Sequence, residues 1–498
     1  MLHSKPSFPD ALYSAAQVRK LDARLVSAGT PGFELMQRAA HAAWRAIRRH
    51  WPDEQQMTVF AGHGNNAGDG YLIAALAQRA GWQVVVLAVG SCDVLSGDAQ
   101  TAYQHALAEG VDIQSWHQQS PRGLLVDALL GTGLKGEVRP PYAHAIKMIN
   151  DSGLPVMSVD IPSGLCADTG HTLGVAVGAD LTVTFIGLKI GLFTGDAPDR
   201  VGELVFDDLG ADPAIVGQTP YDIKRLDTFN LPTLPPRPRT AQKGMYGRVL
   251  VIGGDLGFGG AALLATESTL RSGAGMVTLA TRPEHVSAAL ARLPEVMSAG
   301  VRSANQLMAL IEPATVLVVG PGMGQNPWGR SVLSAAANAD RVQVWDADAL
   351  NQLASMAVCL PEGCVITPHP GEAARLLGVD TQEIQADRPA AARSLAKKFN
   401  AVCVLKGSGS LIAKPDGQLA LVDHGHPAMA TGGLGDVLSG VIGALLAQKM
   451  SPFDAACLAV WLHALAGERC GARGRGLAAA DLIPVIRELL EEHQPCLS

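Results

Sequence analysis

Short apolar runs alternate with alanine-rich stretches along almost the whole of this 498-residue chain. In the first half the runs are MTVFAG, WQVVVLAVG, GLLVDALLG, LPVMSVDIPSG and ADLTVTFIG, and stretches such as GYLIAALAQRAG carry apolar residues at helical spacing. Nearly continuous runs of valine, isoleucine and leucine separated by helices are typical of parallel strands that are buried on both faces. The alternation therefore predicts an α/β fold.

The alternation stops at residues 222–244, where DIKRLDTFNLPTLPPRPRTAQKG contains four prolines and no periodicity. Such a segment is typical of a linker or an extended crossing between domains. The pattern then resumes with RVLVIGG, MVTLA, TVLVVGPG, VQVWDADAL, GCVITPHPGE and VCVLKGSG. Because 498 residues exceed one ordinary domain, we predict two α/β domains, 1–225 and 226–498.

Composition excludes several classes of protein. A hydrophobic share of 48% with 17% charged residues is typical of a well-buried globular chain. The net charge of −7 argues against binding nucleic acid through phosphate contacts. No uncharged apolar run reaches the ~18 residues of a membrane span. The eight cysteines show neither a CxxC pair nor zinc spacing. We therefore expect a cytoplasmic protein with reduced thiols that binds neither membrane nor nucleic acid.

Three turns rich in glycine or serine follow strands of the first half. They are GHGNNAGDG after MTVFA, GTGLKGE after LLVDALL, and PSG after MSVDI. Ligands of open parallel sheets bind beyond the carboxyl ends of the strands. Peptide N–H groups in such turns can cradle phosphates, and Lys135 adds a positive charge. One such turn is usually an ordinary connection, but three at one sheet edge indicate a ligand site.

Asn66, Asp127 and Ser163 offer an amide oxygen, a carboxylate and a hydroxyl near the same edge. These are hard oxygen ligands, and a single negative charge suits a monovalent cation such as K⁺ better than Mg²⁺ or Ca²⁺. The alternative is that Asp127 only caps the neighbouring turn, which spacing alone favours.

GHGNNAGDG, DALLGTGLKGE and VDIPSGL, in this order, resemble the NAD(P)H-hydrate epimerase domain. The resemblance implies a Rossmann-like three-layer fold that acts on a hydrated nicotinamide cofactor. Asp160 would face the nicotinamide ring, and Asn66, Asp127 and Ser163 would bind K⁺. Ala67 stands where many relatives have glycine. The residues implied to hold the phosphates and ribose are Asn65, Asn66, Ala67, Gly68, Asp69, Gly131, Thr132, Gly133, Leu134, Lys135, Gly136 and Glu137.

The implied substrate carries a hydroxyl at C6, beside a ring nitrogen whose lone pair can expel it through an iminium ion. Re-addition from the other face inverts C6, and this needs an acid/base group near the hydroxyl, for which Asp160 is the candidate. Alternatively, Asp160 only organises its loop. Domains of this type also occur as non-catalytic modules of RNA-associated scaffold proteins. The presence of Asp127, Lys135, Asp160 and NNAGDG favours the enzyme.

The sharpest motif of the second half is TGGLGDVLSG, residues 431–440. Glycines that open a helix leave free N–H groups at its N-terminus, which suits a transferring phosphoryl group. Asp436 is placed to accept a proton from an attacking hydroxyl. An N-cap aspartate after a glycine turn is the structural alternative.

This motif resembles the anion hole of ribokinase-like kinases. With KGMYGRVLVIGG, GGAALLA, GPGMG, TPHPGE and KGSGS, it resembles the ADP- or ATP-dependent NAD(P)H-hydrate dehydratase over nearly all of 236–498. Phe258 departs from a more usual tyrosine, and Pro368 and Pro370 hold the backbone of His369. The resemblance implies nucleotide contacts by Lys406, Gly407, Ser408, Gly409, Ser410 and Gly435, and hydrate contacts by Ala261, Gly324, His369 and Asp436.

Together the two resemblances imply repair of nicotinamide nucleotides. The first domain would interconvert the R and S epimers of NADHX or NADPHX, and the second would dehydrate the S epimer. ADP is the implied phosphoryl donor, as in bacterial-type fusions, and eukaryotic relatives prefer ATP. Mg²⁺ is expected with the nucleotide, and we expect a homo-oligomer. The alternative is a ribokinase-like vitamin kinase fused to a non-catalytic nucleotide-binding sensor domain.

Overall fold

The structure is a computed structural model that describes residues 8–355 and 358–497. The chain forms two compact units, Met1–Lys224 and Arg225–Ser498. Each unit has a central, mainly parallel sheet and an apolar core of its own.

Seven parallel strands form the central sheet of the first unit. The strands up to the boundary between the units are β1 (Ala11–Tyr13), β2 (Gln56–Ala61), β3 (Gln83–Ala88), β4 (Asp112–Ser115), β5 (Leu124–Ala128), β6 (Val156–Val159), β7 (Leu181–Phe185), β8 (Leu188–Lys189), β9 (Glu203–Asp207) and β10 (Ile223–Arg225). The helices are α1 (Ala15–Ser27), α2 (Gly32–His50), α3 (Asn65–Arg79), α4 (Gly97–Ala108), α5 (Tyr142–Asp151) and α6 (Pro213–Gly217). The sheet has the order β4-β3-β2-β5-β6-β7-β9. Its strand order reverses between β2 and β5, where ligands of doubly wound sheets bind.

Both faces of this sheet are buried, as the apolar runs predict. Successive side chains of a strand point to opposite faces. Val59 of β2 and Val126 of β5 belong to a core cluster that includes residues of α1–α4. Their neighbours Phe60 and Leu125 belong to a second cluster that includes Ile146 of α5.

A small group of strands adjoins the boundary between the units. β1 pairs antiparallel with β10 and parallel with β8, and Leu12 lies opposite both Ile223 and Leu188. Residues 223–225 are thus a paired strand, where the sequence left open a linker or an extended crossing. In the described chain, residues 226–242 contain neither a helix nor a strand, and Lys243–Tyr246 form a 3-10 helix.

The second unit repeats the strand order of the first. Its strands are β11 (Arg248–Ile252), β12 (Met276–Thr281), β13 (Met297–Gly300), β14 (Val316–Val319), β15 (Val342–Trp345), β16 (Val365–Ile366), β17 (Val402–Leu405), β18 (Ser410–Ala413) and β19 (Leu419–Val422). Within the unit they follow the order β13-β12-β11-β14-β15-β16-β17-β18-β19. β11 to β17 are parallel, and β18 and β19 continue the sheet as antiparallel strands. The strand order reverses between β11 and β14.

The helices of the second unit are α7 (Gly259–Arg271), α8 (Val286–Arg292), α9 (Ala304–Ile311), α10 (Pro327–Ala337), α11 (Asp348–Leu353), α12 (Pro370–Leu377), α13 (Thr381–Ala386), α14 (Arg388–Phe399), α15 (Leu434–Ala447), α16 (Pro452–Gly471) and α17 (Ala479–His493). One of them, α15, is apolar on nearly all sides and packs against α7, α16, α17 and strands of the sheet. Residues along most of α15 are buried, which is typical of a core helix. A Cβ on Gly440 would lie 2.0 Å from Oγ of Ser268, so glycine allows α15 to pack closely on α7.

Within the described ranges, none of the helices combines the length and apolar character that a bilayer crossing requires.

Candidate active sites

A cavity of about 680 Å³ lies where the strand order of the first unit reverses. The predicted residues that line it are Asn65, Asn66, Asp69, Gly131, Thr132, Gly133, Leu134, Lys135 and Asp160. The predicted residues Ala67, Gly68, Gly136 and Glu137 are not among those lining it.

The motif NNAGDG forms the first turns of a helix. α3 begins at Asn65 after the N-cap residue Gly64, so Asn65–Asp69 are helical. Ala67 is fully buried, and a Cβ on Gly68 would lie 2.6 Å from Sδ of Met36. Both residues therefore pack closely inside the unit, and their contact with the phosphates and ribose of the substrate stays a prediction.

The carboxylate of Asp160 is anchored by a buried ammonium. Asp160 follows β6 with φ of +66°, and its Oδ1 accepts a hydrogen bond from Nζ of Lys189. The same Nζ donates to Oγ1 of Thr184 at 2.9 Å and to the carbonyl oxygen of Phe185 at 3.1 Å. The side chain of Lys189 is 1% exposed and that of Asp160 is 18% exposed. The pair therefore presents its carboxylate to the cavity.

Two further carboxyl groups, those of Asp22 on α1 and Asp69 on α3, line the same cavity. Burial raises the pKa of Asp22 to about 6, although Lys189 acts to lower it. Burial also raises the pKa of Asp69 well above its ordinary value, and the charges of Asp160 and Asp22 act in the same direction. Within the described ranges, neither Asp22 nor Asp69 has a hydrogen-bond or ion-pair partner for its side chain.

Sequence reasoning missed Asp22 and Lys189. Lys189 stands in the apolar stretch TFIGLKIGLF, and lysine in such a context signals a buried ammonium with an acidic partner. Asp22 carries no comparable signal, because it lies on an amphipathic helix that is remote in sequence from the motifs.

The three residues predicted to bind K⁺ meet around the turn after β5. The buried carboxylate of Asp127 accepts hydrogen bonds from Oγ of Ser163 at 2.6 Å and from Oγ of Ser158 at 2.8 Å. Nδ2 of Asn66 donates to the carbonyl oxygen of Leu130 at 3.2 Å. Burial raises the pKa of Asp127, although these donors act to lower it. Among the described residues, no basic side chain forms an ion pair with Asp127.

The site of the second unit is built from the ends of parallel strands. Asp255, Gly324, Asp346, His369 and Lys406 follow β11, β14, β15, β16 and β17. The carboxyl ends of parallel strands meet at one edge of a sheet, where ligands bind. The predicted residues His369, Gly324 and Lys406 are therefore brought to one edge, together with two aspartates that the motifs did not identify.

Asp346 and Lys406 form the central ion pair of this site. Nζ of Lys406 lies 2.9 Å from Oδ1 of Asp346, and Oγ of Ser439 donates to Oδ2 at 2.6 Å. The side chain of Asp346 is 2% exposed and that of Lys406 is 20% exposed. Burial acts to raise the pKa of Asp346, but the ammonium of Lys406 brings it below its ordinary value. The ammonium of Lys406 is therefore the member of this pair that is open to a ligand.

Asp436 lies in the first turn of α15, beside that ammonium. The helix follows Gly433, whose φ is +88°, and a Cβ on Gly435 would lie 3.0 Å from Nζ of Lys406. Burial, reinforced by the charge of Asp346, raises the pKa of Asp436 to about 7 although Lys406 acts to lower it. The geometry joins the predicted residues Gly435, Asp436 and Lys406 at one helix N-terminus.

His369 is the N-cap residue of α12. Its Nδ1 accepts hydrogen bonds from the backbone N–H groups of Gly371 at 3.0 Å and Glu372 at 3.4 Å. The carboxylate of Glu372 accepts from the backbone N–H of His369 at 2.8 Å. Burial and the charge of Lys406 lower the pKa of His369. Its ring is therefore oriented with Nδ1 at the start of the helix, and Nε2 lies 3.5 Å from Oε1 of Glu372.

A strained backbone lies beside the predicted hydrate site. Ala347 has φ of +49°. Residues other than glycine rarely adopt this conformation, and those that do are often found at active sites. The next residue, Asp348, accepts a hydrogen bond at 2.8 Å from the backbone N–H of Gly324. Ala261 on α7 lies beside the loop that contains Gly322 and Gly324, because a Cβ built on Gly322 would lie 3.1 Å from Cβ of Ala261.

A buried guanidinium supports the predicted nucleotide loop, residues 406–410. The side chain of Arg388 is nearly fully buried, and its Nη2 lies 3.3 Å from the carbonyl oxygen of Lys406 and 3.4 Å from that of Gly409. A Cβ on Gly407 would lie 2.8 Å from Nη1 of Arg388. Burial lowers the pKa of Arg388 to about 10. Sequence reasoning missed Arg388, which stands outside every motif.

Among the described residues, no group of three or more histidine, cysteine, aspartate or glutamate side chains is arranged to hold a metal ion. The described residues therefore do not identify ligands for Mg²⁺, and the sequence motifs did not identify them either.

Comparison with known proteins covers both units. Residues 249–488 match the family model described as NAD(P)H-hydrate dehydratase, and residues 32–191 match that described as YjeF-related protein N-terminus. The chain is similar to the bifunctional NAD(P)H-hydrate repair enzyme Nnr of Coxiella burnetii, with 44% identity over 96% of this chain and 99% of that protein. The enzyme of the same name from Escherichia coli is 42% identical over 97% of this chain and 95% of its own. A solved ribokinase-like superfamily protein from Enterococcus faecalis V583 is 28% identical, with a TM-score of 0.51, over 55% of this chain and 97% of that one.

The folds and sites define a two-domain α/β enzyme, with a Rossmann-like first unit and a ribokinase-like second unit. The fold class predicted from the sequence is confirmed. The chain belongs to the family of bifunctional NAD(P)H-hydrate repair enzymes.

Proposed function

We propose that this protein repairs hydrated nicotinamide nucleotides. The first unit interconverts the R and S epimers of NADHX or NADPHX, and the second dehydrates the S epimer with ADP, giving AMP and phosphate. The observation that carries the proposal is the opposite charge that each site presents to a ligand: the carboxylate of Asp160 and the ammonium of Lys406. A carboxylate suits a cationic ring, and an ammonium suits a phosphoryl group.

In the first unit, Asp160 carries the acid/base chemistry. Loss of the C6 hydroxyl places positive charge on the nicotinamide ring, which the carboxylate of Asp160 stabilises from the cavity wall. Lys189 holds that carboxylate through its buried ammonium. Lys135 and the turn at 131–134 line the same cavity and would hold the substrate phosphates.

In the second unit, Asp436 accepts the proton of the C6 hydroxyl as its oxygen bonds to the terminal phosphorus of ADP and the bond from that phosphorus to AMP breaks. A pKa of about 7 suits a general base at neutral pH. The N–H groups at the start of α15 and the ammonium of Lys406 stabilise the charge of the phosphoryl group. The ring nitrogen then expels phosphate from C6.

K⁺ fits the first unit. Asp127 is a fully buried carboxylate, and among the described residues it has no basic ion-pair partner. A buried charge without a counter-charge is costly. Asp127, the carbonyl group of Leu130 and the side chains of Asn66 and Ser163 offer the oxygen ligands that K⁺ takes. Bound K⁺ would neutralise the carboxylate and order the turn after β5.

Mg²⁺ would accompany the phosphates of the nucleotide, which commonly supply its ligands with water. The described residues offer no three-ligand cluster for it, so no chemical step is assigned to it. The expected homo-oligomer and cytoplasmic location stay predictions from the sequence.

The test is to incubate the full chain with mixed epimers of hydrated NADH and ADP while following the absorbance of reduced nicotinamide. Repair predicts that both epimers are consumed, with one AMP and one phosphate released for each NADH formed. Consumption of the S epimer alone would contradict the epimerase half. A stable phosphorylated vitamin, formed without recovery of NADH, would favour the kinase alternative.

A further inference from the structure

Inversion at C6 poses a geometric problem that one acid/base group does not solve. The hydroxyl leaves from one face of the ring, and water must add to the other face. A single carboxyl group on one wall of the cavity serves only the face that it touches. A second group of the opposite protonation state is needed on the other wall.

The cavity of the first unit contains such a group. Asp160 follows β6 and is held by Lys189, whereas Asp69 comes from α3, which follows β2. β5 lies between these strands in the sheet, so the two carboxyl groups enter the cavity from elements on either side of β5.

The surroundings assign opposite protonation states to the two groups. Asp160 has the ammonium of Lys189 as its partner. Asp69 has no ion-pair partner among the described residues, and Asp160 and Asp22 are the charged groups that act on it most strongly. Two carboxyl groups that share a site cannot both ionise easily, so the unpaired one keeps its proton. The titratable residues that line the cavity are Arg19, Asp22, His63, Asp69, Asp98, Lys135, Asp160 and Lys189.

We propose that Asp69 is a second catalytic residue of the epimerase site and works with Asp160 on the opposite face of the nicotinamide ring. This assigns to Asp69 a proton transfer in place of the phosphate and ribose contacts that the motif suggests. The inference rests on the proposed epimerase activity.

The C6–O bond breaks as Asp69 gives its proton to the departing hydroxyl, which leaves as water, and the lone pair of the ring nitrogen forms the C6=N bond. Water then attacks C6 from the other face and gives a proton to the carboxylate of Asp160. The reverse reaction exchanges the two roles. Between turnovers, Asp160 releases its proton to solvent and Asp69 takes one up from solvent.

The test follows ¹⁸O from labelled water into C6 of each separated epimer of hydrated NADH, with the full chain and rates above the enzyme-free blank. In the wild type, label enters the product of each inversion. We expect Asp69→Asn and Asp160→Asn each to lower epimerisation by about 10²-fold or more. Asp160→Asn keeps the proton donor of one face, so it should still exchange label into one epimer without inversion. Asp69→Asn loses this donor and should not exchange that epimer.

Asp112→Asn is the matched control, because Asp112 is an exposed carboxylate on β4 of the same unit. It should keep both inversion and exchange. Thermal unfolding of each variant, compared with the wild type, reports whether the first unit is folded. Inversion by the wild type tests the proposed function itself, so its absence is distinguishable from failure of this inference.

Three results would overturn the proposal. Inversion without ¹⁸O uptake in the wild type would show that the C–O bond stays intact. An Asp69→Asn variant with normal inversion would remove its role. An Asp22→Asn variant that loses inversion, with Asp69→Asn unaffected, would transfer the role to Asp22.

Discussion

The two units share a strand order, and each has an aspartate–lysine ion pair at its site, but the buried and exposed members of the pair are exchanged between the units. In the first unit the ammonium of Lys189 is buried and the carboxylate of Asp160 reaches the cavity. In the second, the carboxylate of Asp346 is buried and the ammonium of Lys406 is the more exposed partner. The buried member anchors the exposed one in both units. The charge that faces the ligand is therefore that of the more exposed member of each pair, Asp160 in the first unit and Lys406 in the second.

This inversion matches the chemistry proposed for each site. Loss of a hydroxyl beside a ring nitrogen creates a cation, which an anchored carboxylate stabilises. Phosphoryl transfer spreads negative charge over oxygens, which an ammonium and helix N–H groups stabilise. One topology thus supports two opposite electrostatic tasks, in keeping with the rule that function lies in the site and not in the fold.

The largest expected effect separates the two sites completely. Asp436→Asn keeps the shape of the side chain and removes the proposed base. We expect dehydratase turnover to fall by about 10²–10⁴-fold, while nucleotide binding and epimerisation stay intact. Single-turnover assays with the S epimer, and epimerisation assays without ADP, measure the two activities.

The pH dependence of this variant provides its control. Because the pKa of Asp436 is raised to about 7, the wild-type dehydratase should lose activity as pH falls below 7, as the base takes up a proton. Asp436→Asn should lose that dependence. An unchanged wild-type rate in the variant would refute the assignment, and an equal loss of both activities would indicate misfolding.

Stability should respond unequally to loss of the two lysines. Lys406→Met leaves Asp346 buried without its counter-charge, which typically costs about 3–5 kcal/mol. Lys189→Met leaves Asp160 at the cavity wall, where water reaches it, so we expect less than half that cost. Thermal unfolding at pH 7 compares the variants.

A lower pH sharpens this comparison. The depressed pKa of Asp346 contributes stability that is present above the ordinary aspartate pKa and is lost as pH falls through the folded value. Lys406→Met removes this contribution, so the difference from wild type should shrink toward pH 3. Equal costs for the two lysines would mean that exposure of the remaining carboxylate does not matter.

The sequence predicted the parts of both sites that follow apolar runs. NNAGDG, GTGLKGE, TPHPGE and KGSGS all lie at strand ends, because glycine, proline and short polar residues mark where buried strands stop. The same reasoning applied to VQVWDADAL would also have found Asp346, the first residue after β15.

Residues that approach a site from behind could not be found in this way. Arg388 begins α14, and Asp22 lies within α1, so only the folded chain brings each to a motif from a distant part of the sequence. The packing of Gly68 against Met36 also could not be found, because a glycine that packs against a side chain looks the same in sequence as one that approaches a phosphate.

A smaller effect concerns Asp127 of the first unit, a buried carboxylate that, unlike Asp346 of the second, has no basic partner among the described residues. Asp127→Asn keeps most hydrogen bonds to Ser158 and Ser163 but removes the charge proposed to hold K⁺. We expect K⁺ activation of epimerisation to weaken by about tenfold, or about 1.4 kcal/mol. The measurement is the epimerisation rate as a function of KCl concentration, with NaCl or choline chloride replacing KCl so that the ionic strength stays constant. Wild-type activity that is indifferent to the cation, with Asp127→Asn unchanged, would contradict the site.

The smallest effect tests whether the unpaired carboxyl groups of the first unit resist ionisation. A folded-state pKa of about 6 for Asp22 means that its contribution to stability is fully present below the ordinary aspartate pKa and is lost as pH rises through 6. Asp22→Asn cannot ionise, so it should be more stable than the wild type at pH 8 by about 1–2 kcal/mol, after allowance for partial solvent screening, and about equal to it at pH 4. For a unit of this size, that difference corresponds to roughly 2–8 °C in the midpoint of thermal unfolding.

Asp112→Asn, which changes an exposed carboxylate on β4, should shift the midpoint equally at both pH values. A variant Asp22→Asn that is less stable than the wild type at pH 8 would show that Asp22 is a charged partner of Lys189. The first unit would then present balanced charges to its ligand, and not the excess of carboxyl groups that distinguishes it from the second unit.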